Sequence, residues 1–109
     1  MDPRVYGTGA ERHVLVGAAD GAHQVELRYF RIPAGGASVR ERHSHEHAIV
    51  ILHGRARVRL GDAIHDAGPG DAVFVASDEE HQLHVVGDEP LGFVCTALVD
   101  RAPPSDTGA

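Results

Sequence analysis

The chain is cut into short pieces. Gly and Pro together supply 19 of its 109 residues and punctuate it about every 8 to 15 positions. Between them lie brief valine-rich runs, with 13 Val in all. Short segments rich in β-branched residues and bounded by turn residues read as strands. No segment sustains a helical period. The pattern predicts an all-β sandwich or barrel. At this length the chain supports one core and not two, because roughly two-thirds of its unfolded surface can be buried.

The strands follow from alternation and punctuation. His13–Gly17 is a short opening strand. Gln24–Ile32 alternates, with Val25, Leu27 and Tyr29 on one face and Glu26 and Arg28 on the other, until Pro33-Ala34-Gly35-Gly36 breaks it. Ala37–His43 reads as a further extended piece. His47–His53 is almost continuously aliphatic, which predicts burial on both faces. Arg55–Leu60 alternates cleanly, placing Ala56, Val58 and Leu60 inward and Arg55, Arg57 and Arg59 outward. Gly61-Asp62 marks a hairpin turn to Ala63–Asp66. Gly68-Pro69-Gly70-Asp71 suits a type II turn, with Gly70 at the positive φ. Ala72–Ala76, His81–Val86 and Leu91–Val99 complete the series, and Asp100–Ala109 reads as a loose polar tail. The expected organisation is a lead-in over residues 1–23, a barrel over 24–99 and the tail over 100–109.

Composition narrows the function classes. Ten basic residues face sixteen acidic ones, for a net charge of -6. Nucleic-acid binding, which needs a concentrated basic face, is not expected. No apolar run approaches the ~18 residues of a membrane helix. The opening residues carry no apolar stretch of the signal-peptide kind, and a cytoplasmic location is expected. The single cysteine, Cys95, leaves no internal disulfide or paired-cysteine metal site.

The unusual residue is histidine. There are nine, and seven lie between His43 and His84. In Glu41-Arg42-His43-Ser44-His45-Glu46-His47 the odd positions carry Glu, His, His and His, all able to hold a divalent metal. Donor atoms on one ion must lie within ~4 Å of each other, since metal–nitrogen bonds are about 2 Å. A straight strand would set His43 and His47 ~13 Å apart at their Cα atoms. The chain must therefore bend between them, which favours Glu41, His43 and His47 over His45. A different bend would admit His45.

Here the sequence resembles the cupins. Their first motif, G-x5-H-x-H-x3,4-E-x6-G, is matched in spacing by Gly35, Glu41, His43, His47 and Gly54, with Glu41 at the first His place and His47 at the Glu place. The second motif, G-x5-P-x-G-x2-H-x3-N, runs from Gly70 through Ala76, Asp78, His81 and Val85, keeping Gly70 and His81. The resemblance covers roughly residues 24–99. It implies an antiparallel jelly-roll barrel of six to eight strands. It also implies a metal inside one end, held by Glu41, His43, His47 and His81. If the histidine pair of the motif is instead His43 and His45, the set becomes His43, His45, His47 and His81. A homodimer paired through the sheets is a further implication.

The remaining histidines and the cysteine read as ordinary. His53 and His65 are expected at the surface, and His84 on the strand face opposite His81. Cys95, alternating with Phe93 and Ala97, is expected in the core. Of the aromatics Tyr29, Phe30, Phe74 and Phe93, some are expected to wall the pocket.

A divalent transition metal (Fe, Mn, Ni, Cu, Co or Zn) on two or three imidazoles and a carboxylate keeps coordination positions open. The leading expectation is a metal-dependent enzyme on a small organic substrate, by resemblance an oxidoreductase of the dioxygenase type or an isomerase. Glu41, if not a ligand, is a candidate general base. The alternative is a metal-bearing protein that binds or senses a small molecule without turnover. A weaker third reading is a cupin fold whose histidines no longer bind metal.

Overall fold

Among the described residues, nine antiparallel strands form two sheets. The structure, a computed structural model, describes residues 9–98 and the backbone of a short strand at 4–6. The strands are β1 (Arg4–Tyr6), β2 (Ala10–Val16), β3 (Val25–Ile32), β4 (His47–His53), β5 (Arg55–Leu60), β6 (Ala63–Ala67), β7 (Ala72–Val75), β8 (His81–Val86) and β9 (Leu91–Leu98). One sheet runs β1-β2-β3-β9-β4-β7 and the other β6-β5-β8. Neighbours such as β9 and β4 are far apart in sequence. This interleaving is the jelly-roll arrangement and brings distant segments to one interior.

The turns form as their residues dictate. Gly61, at φ 60°, turns β5 into β6. In Gly68-Pro69-Gly70-Asp71, Gly70 sits at φ 88° and the Asp71 amide donates to the Gly68 carbonyl at 2.9 Å, a type II turn. The β5 alternation is as read, with Ala56 and Val58 buried, Leu60 half-buried, and Arg55 and Arg57 exposed. Between the sheets pack Ile32, Ile49, Ile51, Val58, Val75, Leu83 and Leu91, with Phe30 stacked on Phe93 at 5.0 Å.

Three expectations change. The opening strand starts at Ala10, earlier than His13, and pairs along β3, so it is an integral sheet member. Residues 37–43 form no full strand. They meet β8 through isolated bridges, Ala37 with His84 and Glu41 with His81, and through hydrogen bonds of Ser38 with Gln82 and Leu83.

β4 is not buried on both faces: Ile49 and Ile51 point inward, while Val50 and Leu52 are exposed on the outer face. A continuous aliphatic run signals two covered faces only when a second layer covers the outside, and none of the described residues does so here. β3 alternates as read, and it is the side of Glu26 and Arg28 that turns inward. Val25 is 61% exposed, while Glu26, Arg28, Phe30 and Ile32 are buried. Phe30 and Ile32 share parity with Glu26 and Arg28 and draw them inside. The polar tail expected at 100–109 lies outside the described residues.

Candidate metal centre

Three separate stretches bring the histidines together. Residues 37–41 lie beside β8. The Glu41 amide donates to the His81 carbonyl at 3.0 Å, and the His81 amide returns a bond to Glu41 at 2.8 Å. The chain then bends at Ser44-His45 before entering β4 at His47. The Asp78 amide, donating to the His43 carbonyl at 2.6 Å, secures that bend from the β7–β8 turn. His47 opens β4 with an inward side chain, and His81 opens β8 the same way.

Among the described residues, His43, His47 and His81 form a group whose donor atoms all lie within 4.8 Å of one another. Their ring centroids are 5.0 to 5.7 Å apart. Co-ligating nitrogens at bond lengths of about 2.0–2.1 Å sit about 3–4 Å apart, so the widest pair would close by about 1–2 Å around an ion. The Glu41 carboxylate reaches His43 Nε2 at 3.2 Å. That distance fits a hydrogen bond, and it equally fits two donors on one ion. His45 is outside the donor group. Its ring packs against His43 at 5.2 Å and against His47 at 4.7 Å.

The hydrogen bonds behind the rings orient them. His47 Nδ1–H donates to the Thr96 carbonyl at 2.8 Å, which leaves the Nε2 lone pair facing the cavity, buried and without a hydrogen-bond partner among the described residues. His81 Nδ1–H donates likewise to the Glu79 carbonyl at 3.1 Å. Backbone acceptors of this kind fix the tautomer a metal requires. A buried imidazole nitrogen without a proton partner beside two others is a donor set that fits a divalent cation.

Burial pushes the His47 pKa down from 6.5 to about 4, against the Thr96 hydrogen bond, with further lowering from His43, His45 and His81. The folded value lies below the unfolded one, so on acidification the unfolded chain takes up this proton first. The stability linked to the neutral ring is therefore complete above pH 6.5 and lost as pH falls towards 4. Urea midpoints of chelator-treated protein should fall across that window. A flat profile would contradict the burial of a neutral His47.

A cavity of about 50 Å³ opens on the histidines, lined by Arg12, Arg28, Phe30, Ser38, Glu41, Ile49, Leu83, Phe93 and Cys95 as well. One water occupies ~10–15 Å³ on this measure, so there is room for a few waters or a compact molecule. Phe30 and Phe93 wall it, whereas Phe74 is exposed and Tyr29 lies on the outer face, bonded to His53 at 2.7 Å. Cys95 is buried, and its thiol donates to the Thr96 carbonyl at 3.2 Å. Burial pushes its pKa up to about 12, so it stays a thiol at neutral pH. His65 and His84 are exposed.

Arg28, which lines the cavity, and its buried partner Glu26 are inward residues that alternation alone does not assign to the interior. The parity of Phe30 and Ile32 was the available signal.

Fold and site together define a cupin. The Cupin_2 family model, a cupin domain, matches residues 28–97, and the chain belongs to this family. It is 40% identical over 79 residues to 1-methylthio-D-xylulose 5-phosphate methylsulfurylase of Rhodospirillum rubrum, a match spanning 72% of this chain and 51% of that protein. The chain thus spans about half the length of that relative.

Among solved structures, a cupin-2 domain protein of Rhodospirillum rubrum superposes with a TM-score of 0.79 at 35% identity, over 92% of this chain and 66% of the other. A cupin 2 domain-containing protein of Halorhodospira halophila gives 0.77 at 39% identity, over 84% of this chain and 65% of the other. No helix among the described residues is long and apolar enough to cross a membrane.

Proposed function

We propose that this protein is a metal-dependent cupin enzyme acting on a compact organic substrate, with His43, His47, His81 and Glu41 holding a divalent transition metal. The observation that carries this reading is the convergence of three imidazole donors on one cavity, two of them held by backbone carbonyls. Bound there, the ion would supply Lewis-acid polarisation of a substrate oxygen or a position for dioxygen. The protein's own residues do the rest. Phe30, Phe93, Ile49 and Leu83 shield the cavity from bulk water, which strengthens its electrostatics. The Glu41 carboxylate is placed to bind the ion or, when displaced from it, to take a proton from substrate. The enzyme reading draws support from the methylsulfurylase relative, whose name is that of an enzyme on a small phosphorylated substrate.

The reaction class we favour, oxidative or isomerising, rests on the family. It is tested by oxygen uptake and product analysis with a panel of small hydroxy, keto and phosphorylated compounds on metal-loaded protein. Turnover that disappears in His47→Ala supports it. Tight binding of a compound with no turnover would instead establish a binding or sensing protein. A cytoplasmic site of action is part of the same proposal.

We also propose a homodimer joined through the six-stranded sheet. The outer face of that sheet presents Val16, Val25, Val50, Leu52, Phe74 and Leu98, all exposed. The β-ladders set them on one side of neighbouring strands: Val16 pairs with Leu27, Val25 with Leu98, and Phe74 with Ala48. A contiguous apolar face of this kind marks an interface. Light scattering should report twice the 11.6 kDa chain mass, and Val50→Asp should return it to the monomer. A monomeric wild-type protein would overturn the assignment.

A further inference from the structure

The interior of β3 holds a charge that its own fold does not fully satisfy. Arg28 is 4% exposed and Glu26 is 7% exposed, both facing inward. Arg28 Nε donates to the Glu26 carboxylate, a short buried pair. Arg28 Nη2 is also buried and has no hydrogen-bond partner among the described residues. A charged donor left unsatisfied in the interior is costly, and native structures rarely keep one without a partner. Arg28 lines the same cavity as His43, His47, His81 and Glu41.

The ladder gives the scale. Arg28 pairs in register with Cys95, and Cys95 with Ile49, two residues along β4 from His47. Two strand spacings of about 4.8 Å put the Arg28 and Ile49 backbones about 10 Å apart. The cavity that Arg28 shares with the histidines, about 50 Å³, has room for a molecule of a few heavy atoms.

The charge balance gives the sign. Glu26 neutralises the Arg28 charge, so the pair contributes nothing net. A divalent ion on three neutral imidazoles, even with Glu41 ionised, leaves the cavity positive. Neutral ligands would leave that excess uncompensated in a poorly solvated site.

We infer that the ligand of this cavity is a compact molecule carrying an oxyanion, a carboxylate or phosphate group, with one anionic oxygen accepting a hydrogen bond from Arg28 Nη2. This deepens the proposed function and rests on its metal site for the ligand's second anchor. Charge-assisted bonds from a guanidinium to such groups are the strong ones, and their geometry gives selectivity as well as affinity.

The test separates the two readings by measuring metal and anion independently. Elemental analysis reports the Mn(II) content of wild type and of Glu26→Gln/Arg28→Gln, a double variant that removes both charges so that neither is stranded. Calorimetric titration with glycolate, and separately with inorganic phosphate, at up to millimolar concentrations reports anion binding. It is run on metal-loaded and metal-free protein.

The expected result is unchanged metal content, binding of at least one of the two anions by wild type, and about 10- to 100-fold weaker binding by the double variant. Which anion binds decides between carboxylate and phosphate. A metal-loaded wild type that binds neither anion, or a folded double variant that binds as wild type does, would overturn the assignment of Arg28. A wild type that takes up no metal would sink the metal reading instead, and the metal-free titrations would then decide Arg28 alone.

Discussion

His47→Ala should cost this protein its metal. Of the three converging imidazoles, His47 has the most completely determined setting: its side chain is buried, its Nδ1–H is committed to the Thr96 carbonyl and its Nε2 faces the cavity. Burial holds its pKa near 4, so at neutral pH the ring is neutral, with Nε2 free of a proton and competent as a donor. Loss of an outer hydrogen-bond partner of a metal ligand typically weakens binding about 10- to 100-fold, so deleting the ligand itself should exceed about 100-fold. Turnover should fall to background with it. Stability should suffer less, because removing the ring also removes a desolvated polar group.

The comparison variant is His65→Ala, an exposed histidine outside the cavity, which should leave metal content untouched. Equal metal uptake by wild type and His47→Ala, measured by elemental analysis after repletion, would refute the assignment.

Arg28→Met should be the most destabilising of the cavity substitutions. It removes one member of a buried ion pair and strands Glu26, 7% exposed, without its counter-charge. Breaking a buried pair from one side costs about 3–5 kcal/mol, mostly the penalty of the orphaned charge. For a domain of this size that is a melting-temperature drop of roughly 15–25 °C.

Adding Glu26→Gln to the Arg28 change should restore most of the loss, since an uncharged interior pair no longer pays desolvation. The exposed pair of Arg40 and Glu80, 3.0 Å apart, is the contrast: solvent screens it, and Arg40→Ala should leave the melting temperature nearly unchanged. Thermal melts of the single and double cavity variants decide the matter. A double variant no more stable than Arg28→Met would show that the two charges do not depend on each other.

The strands were largely legible because turn chemistry is local. Gly61 and Gly70 adopt the left-handed backbone that their turns require, and β5 alternates just as its sequence does. The bend between His43 and His47 was legible from bond lengths alone, and the chain indeed bends at Ser44-His45. What could not be read was which face of a strand meets the core. In β3 the alternation is mixed, since Val25, Leu27 and Tyr29 oppose a face holding both charges and large apolar residues. Only the partner strand β9, distant in sequence, decides the matter.

In β4 the aliphatic run hid an exposed outer row, because the sequence of one strand does not say whether a second layer covers its far face. The placement of Glu41 beside His81 was likewise non-local, resting on a pair of backbone hydrogen bonds between segments forty residues apart.

The central claim is that His43, His47 and His81 share one ion. Anomalous diffraction from crystals of metal-loaded protein, recorded at the absorption edge of the ion, tests it directly. A single strong peak is expected about 2.0–2.2 Å from a nitrogen of each of the three rings. Glu41 should lie at or beside the same peak. Anomalous density elsewhere on the molecule, with none between these three rings, would contradict it.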